Sequence, residues 1–150
     1  MKCNLSGRVF ALVLAALGVL ALAASAHAAE RPYAARGTAQ LNPATGEFVG
    51  AGTATYLGLY SEAGSAQLTP IGNTGVFQVN ATSTYTAANG DQLRAVIVGQ
   101  LDFATGAVSA AVTYVGGTGR FVGATGVAIL KGQFHPDGSM EVTVKGTIDY

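Results

Sequence analysis

Along most of the chain apolar and polar residues alternate one by one, with turn-forming residues breaking the pattern at short intervals. In the segment from Phe77 to Tyr85, Phe77, Val79, Ala81, Ser83 and Tyr85 share one face, while Gln78, Asn80, Thr82 and Thr84 share the other. Successive side chains of a strand point to opposite faces, so this period of two predicts β-structure half-buried on one side. After residue 28 no window carries apolar residues at the i, i+3, i+4, i+7 spacing of a helix.

The pattern predicts eight strands. The first runs from Gly37 to Asn42 after an irregular start over residues 29–36, and the second from Phe48 to Leu59. Ser61-Glu-Ala-Gly64 reads as a turn into a short third strand, Ser65 to Thr69, which Pro70 ends. The fourth contains Phe77 to Tyr85, and the fifth spans Gln92 to Phe103. The sixth aligns Val108, Ala110, Val112 and Tyr114, and the seventh covers Val127 to Phe134. The eighth sets Val142, Val144, Ile148 and Tyr150 against Glu141, Thr143, Lys145, Thr147 and Asp149.

The connections carry turn chemistry: Asn42-Pro-Ala-Thr-Gly46, Asn89-Gly90 and Pro136-Asp-Gly138. The triplet Ala-Thr-Gly, starting at Ala44, Ala104 and Ala124, reads as one turn chemistry used again. Short connections force antiparallel neighbours, and closure removes the exposed edges of an open sheet. The predicted fold is therefore all-β: a single eight-stranded antiparallel up-and-down β-barrel over residues 37–150. Eight strands leave a lumen wide enough for side chains or one small ligand.

The first 28 residues carry a different pattern. Lys2 and Arg8 precede an uncharged apolar run from Val9 to Ala24, and Ser25-Ala-His-Ala28 supplies the small-x-small motif of a signal peptidase site. The run is shorter than the ~20 residues of a membrane-spanning helix. These residues predict a signal peptide over 1–28 and a secreted or periplasmic protein. From Ala29 onward six basic residues face eight acidic ones, a net charge of −2, and no cysteine remains. That balance gives no footprint for nucleic acid.

Candidate chemistry is sparse. After residue 28 the chain has one histidine, His135, in a His-Pro-Asp-Gly turn, so neither a zinc site nor a nucleophile–histidine–acid triad is expected. Glu47, Glu62, Asp91, Asp102 and Asp137 fall at predicted turns or strand ends, and Glu141 and Asp149 on the outer face of the eighth strand. No carboxylate is expected deep in the lumen. Alternation instead sends Phe77, Tyr85, Phe103, Tyr114, Phe134 and Tyr150 inward, beside the small residues Ala81, Ala95, Gly99, Ala110 and Gly132. These six aromatics are the candidate ligand-binding residues. Apolar walls with a few hydroxyls suit a small molecule.

The most glycine-rich segment, Val115-Gly-Gly-Thr-Gly-Arg-Phe-Val-Gly-Ala-Thr-Gly126, leads into a strand, not a helix, so it does not fit a phosphate-binding loop. It resembles the glycine signature of the allene oxide cyclase and dirigent barrel families and of secreted bacterial proteins built like them. The resemblance implies an eight-stranded barrel and, because those families assemble, a homo-oligomer, with a trimer favoured. Plant dirigent proteins follow this stretch with a pocket arginine, whereas Thr125 stands here. No acidic residue of this chain can be matched to the catalytic ones of either plant family.

Together these features predict an exported barrel that binds a small hydrophobic ligand in its lumen without a cofactor. Two alternatives stand: a cofactor-free cyclase or isomerase acting on a reactive hydrophobic substrate, and a small outer-membrane barrel. Self-association is expected independently of the resemblance, because the second, fifth and seventh strands carry apolar residues on both faces.

Overall fold

Residues that alternate in sequence alternate in burial, and the inward set closes around a single lumen. The computed structural model describes residues 29–150; the signal-peptide expectation falls on residues 1–28, outside that range. The strands are β1 (Arg31–Leu41), β2 (Glu47–Ala54), β3 (Gly58–Pro70), β4 (Val76–Ala87), β5 (Gln92–Asp102), β6 (Ala107–Gly117), β7 (Thr125–Phe134) and β8 (Ser139–Asp149). Each pairs antiparallel with its neighbour in sequence, and β1 pairs with β8 from Arg31↔Ile148 to Gln40↔Ser139. The wall is therefore a closed eight-stranded up-and-down barrel, as the alternation predicts.

The five strands from β4 to β8 lie where the pattern puts them, and the first three do not. β1 starts at Arg31, so residues expected to be irregular form half a strand. Tyr33 and Ala39 are buried within it, and the whole length is held by β8. That partner lies at the far end of the chain, where local composition gives no hint of it. The second correction is a shifted hairpin. The chain reverses over residues 55–57, and β3 then continues through Ser61-Glu-Ala-Gly64, which had the composition of a turn. Tyr56 takes φ of 69° and Gly58 φ of 68° to make the reversal. A tyrosine in the left-handed region carries no turn signature.

Of the three Ala-Thr-Gly triplets, two do the same work. Ala44 N–H donates to Asn42 Oδ1 at 3.0 Å and Ala104 N–H to Asp102 Oδ1 at 2.8 Å. In both turns the glycine N–H returns to the main-chain carbonyl of the same Asn or Asp, and Gly46 and Gly106 share φ of 74°. The third triplet instead enters β7, with Gly126 at φ of 150°.

The two ends of the barrel are built differently. One carries the short β1–β2, β3–β4, β5–β6 and β7–β8 turns, with the carbonyls of Gly46, Gly75, Gly106 and Gly138 accepting from the next strand or turn around the rim. The other carries the glycine-rich connection between β6 and β7. A bulge opposite Leu93 and Ala95 releases the chain from β6, with Gly116 at φ of 93°. A single 3₁₀ turn, Gly119–Phe121, then drops Phe121 into the barrel. Phe121, Leu93 and Ile148 have no exposed surface at all, and Val112 has 1%. Thr118 fixes the loop to β5: its N–H donates to Gln92 O at 2.8 Å and its Oγ1 accepts from Gln92 N–H at 3.0 Å. Arg120 pairs with Asp91 at 3.3 Å. Tyr150 stacks against Phe121 at 5.2 Å and Tyr56 at 5.3 Å between ring centroids. This end is solidly filled.

The outer wall is largely polar, with Arg36, Asn80, Arg94, Lys131, Glu141 and Lys145 all exposed. Its main apolar area lies on β5–β7, where Val96 and Val127 flank Thr113, and Val98 and Ile129 flank Ala111.

Candidate functional site

At the turn-bearing end the lumen stays open. Half-buried Leu41, Phe48, Leu68, Val79, Phe134 and Met140 ring the mouth. Below them Ala39, Ala66, Ala81 and Ala110 form the wall, and the small side chains keep it hollow. The cavity has a volume of about 80 Å³. A single water needs about 10–15 Å³ by that measure. The space is therefore several times that of a single water site.

The floor of the channel is polar. Glu62 points inward from β3, in register with Gly50 on β2 and Tyr85 on β4. It is 9% exposed. Ser83 Oγ, itself buried, donates to Glu62 Oε1 at 2.6 Å. That length is characteristic of a hydroxyl bonded to a carboxylate. Gly50 has no side chain to cover the group, and a Cβ there would lie 3.2 Å from Glu62 Oε2. Around it stand two edge-to-face tyrosine pairs, Tyr60–Tyr85 at 5.4 Å and Tyr33–Tyr114 at 5.1 Å between ring centroids. Glycines make this arrangement fit: a Cβ at Gly37 or Gly52 would lie 2.7 Å from the Tyr60 hydroxyl. The Tyr60 ring thus lies over backbone that carries no side chain.

Burial sets the acidity of the cluster. Desolvation raises the Glu62 pKa above the usual carboxylate value, against the opposing pull of hydrogen bonds from Ser83 and Tyr85. Desolvation also pushes Tyr60 up to about 12, with the Glu62 charge adding to it. Tyr33, Tyr85 and Tyr114 are raised further by the same burial. The tyrosines accordingly stay protonated as hydrogen-bond donors. Among the side chains lining the cavity Glu62 is the one acid, and no Lys, Arg or His faces it.

The six aromatics predicted to point inward separate into four groups. Tyr85 and Tyr114 belong to the floor, and Phe134 to the mouth. Phe77 sits at the rim beside Phe103, 4.8 Å between centroids, and Phe103 in turn stacks on Phe134 at 5.6 Å. Phe103 is not an inward strand residue. β5 ends at Asp102, whose carboxylate starts the turn, so alternation stops and the ring is left 44% exposed. Tyr150 belongs to the filled end, where the Arg31 guanidinium lies 4.9 Å from its ring centroid. Phe77, Phe103 and Tyr150 do not line the cavity.

Glu62, Tyr33 and Tyr60 were missed as site residues, and all three lie in the region where the strands were misplaced. A buried lumen carboxylate corrects the expectation that none lies deep. The signal was present: Tyr60, Glu62, Gly64, Ala66 and Leu68 alternate without a break against Ser61, Ala63, Ser65, Gln67 and Thr69. Among the described residues no group of three or more His, Cys, Asp and Glu gathers closely enough to hold a metal ion. Comparison with protein-family models, curated proteins and solved structures gave no match to this chain.

Proposed function

We propose that the barrel takes up a small, slender, largely apolar molecule through its open end and orients it by one polar group at the Glu62–tyrosine floor. The observation that carries this reading is a channel with apolar walls, an open mouth and its polar atoms gathered at the bottom. Burying an apolar chain supplies the affinity, at about 25 cal/mol per Å² removed from water. The buried floor discriminates, because polar atoms left unpaired by a wholly apolar guest weaken its binding.

Ala110 tests the reading. It is 5% exposed and lines the channel, so Ala110→Phe puts a ring where the guest would lie. Calorimetric titration with linear methyl ketones of increasing length should show binding to the wild type and none to Ala110→Phe, while the circular dichroism of the two stays alike. Equal binding by a folded Ala110→Phe would place the ligand elsewhere and sink the proposal.

A second reading, a cofactor-free isomerase or cyclase, is favoured by the buried acid among hydroxyls, since catalytic groups are found where burial shifts acidity. The outer-membrane reading is not favoured. A transmembrane barrel turns an apolar band outward and polar residues inward; this wall carries charged residues among its outward positions, and its lumen is lined mainly by apolar side chains. In the proposed setting the barrel acts outside the cytoplasm, on the strength of the leader pattern in residues 1–28.

A further inference from the structure

We propose that the floor of the channel is a proton-transfer site for carbonyl compounds, in which Glu62 and the tyrosine hydroxyls move the double bond of a β,γ-unsaturated ketone into conjugation. The inference rests on the lumen-binding reading and adds a reaction to it.

Three features of the floor lead there. First, a slender guest reaching the bottom of the channel meets hydroxyl groups from several walls: Tyr33 on β1, Tyr60 on β3 and Tyr85 on β4, with Tyr114 closing the far side from β6. A carbonyl oxygen, which only accepts, is the polar group that such a set of donors fits. Second, Glu62 is the one group of the lining able to remove a proton from carbon. The tyrosines are held in the protonated form by burial, so they donate and do not compete as bases. Third, the acid and the Tyr33–Tyr114 pair are distinct groups on different walls. Glu62 leans on β3 and β4, whereas the edge-to-face Tyr33–Tyr114 pair joins β1 and β6. A ketone held by that pair has its α-carbon toward Glu62.

The step balances without a co-reactant. The Glu62 carboxylate takes the α-proton, the C–H electron pair forms the new carbon–carbon double bond of a dienolate, and the carbonyl electrons move onto oxygen. That oxyanion accepts hydrogen bonds from the tyrosine hydroxyls, which favour it over the neutral ketone. The Glu62 carboxylic acid then returns the proton to the γ-carbon. The carbonyl reforms, the double bond lies in conjugation with it, and Glu62 is a carboxylate again. Burial suits the acid to both halves of the cycle, because a carboxyl with a raised pKa is a stronger base and is less far from neutrality when it must give the proton back. The titratable groups facing it are Tyr33, Tyr60 and Tyr85, and Tyr114 stands behind Tyr33.

The test uses the purified exported protein, a short linear β,γ-unsaturated methyl ketone, and the saturated ketone of equal length. Ultraviolet absorbance follows conjugation, and calorimetry follows binding of the saturated analogue. The expected result is conversion above the buffer rate, rising with pH to a plateau through an inflection above the ordinary carboxylate range. Glu62→Gln should lower kcat by about 10²–10⁴-fold, with saturated-ketone binding changed severalfold at most. Tyr114→Phe should lower kcat and leave the position of the inflection in place. A saturated ketone that binds in the channel while its unsaturated partner converts no faster than in buffer overturns the reaction and leaves the binding site standing. So does a Gln variant as active as wild type. Absence of any binding fails the lumen reading itself. Should the Gln variant not fold, Glu62→Asp withdraws the carboxyl by one methylene; an undiminished kcat in that variant also overturns the proposal.

Discussion

The two ends of this barrel share a wall and differ in what their connections do. At the filled end the loop of residues 118–124 is long enough to fold inward, and Phe121 on its 3₁₀ turn occupies the axis with no exposed surface. At the open end the turns closed by Gly46, Gly106 and Gly138 are tight and satisfied locally, by Asn42, Asp102 and Asp137. Such turns bond along the rim but are too short to cross the lumen, so the rings of Phe48 and Phe134 stay at its edge, half-buried. One long connection therefore separates a core from a vessel. The glycines of that connection contribute conformation: Gly116, Gly119 and Gly123 all take positive φ, which lets the loop bend back on itself without strain.

The sharpest way to break this contrast is to remove the filling. Phe121→Ala should destabilise the barrel by about 3–5 kcal/mol, the range for a fully buried ring, read as a shift in urea midpoint. Phe134→Ala at the mouth should cost no more than about 1.5 kcal/mol, because much of the ring surface stays in contact with water. Equal losses would mean that the open end is as much a part of the core as the other.

A smaller effect separates the floor acid from the turn acids. The folded-state pKa of Glu62 is raised by desolvation, so the fold is favoured while the carboxyl is protonated. Stability should fall as pH rises from the unfolded carboxylate value through the raised folded one. Asp102 and Asp137 act in the opposite sense. Hydrogen bonds, chiefly from Ala104 N–H and from the Ser139 hydroxyl respectively, hold their carboxyls below the usual value. Their contribution is present above the unfolded carboxylate value and is lost as pH falls through the lowered one. Urea titrations of wild type and Glu62→Gln across both windows separate the two: the Gln variant should lose the high-pH decline and keep the acid-side one. The smallest effect belongs to the staple outside the plug. Asp91→Asn removes the ion pair with Arg120, whose side chain is 43% exposed, and should cost under about 1 kcal/mol. A larger loss would show that the loop is held from outside more than by Phe121.

Much of this architecture can be read from residues alone, and the limits have a physical cause. β4 to β8 follow an alternation bounded by recognisable turns, such as Asn89-Gly90 with Gly90 at φ of 87°. Tyr85 and Tyr114 were legible as inward residues for the same reason. β1 was half-hidden, because Arg31, Pro32 and Ala34 have little preference for a strand and are held there by β8. Glu62 was hidden twice. Ser61-Glu-Ala-Gly64 has turn composition, and an acid on an apolar face argues against burial unless its hydrogen-bond partners are known. Ser83 and Tyr85, which stabilise it, lie on the next strand.

By itself, then, the sequence determined the class of the fold, the number of strands and which face of most of them is inward, since each follows from period-two alternation and local turn chemistry. Tertiary structure alone decided which end is filled, that Phe121 is the filling, and that an acid and four tyrosines meet at the floor. Those facts depend on register between strands distant in sequence and on the path of one loop. Side chains meet across a lumen only after the wall has closed, and no local pattern encodes that closure.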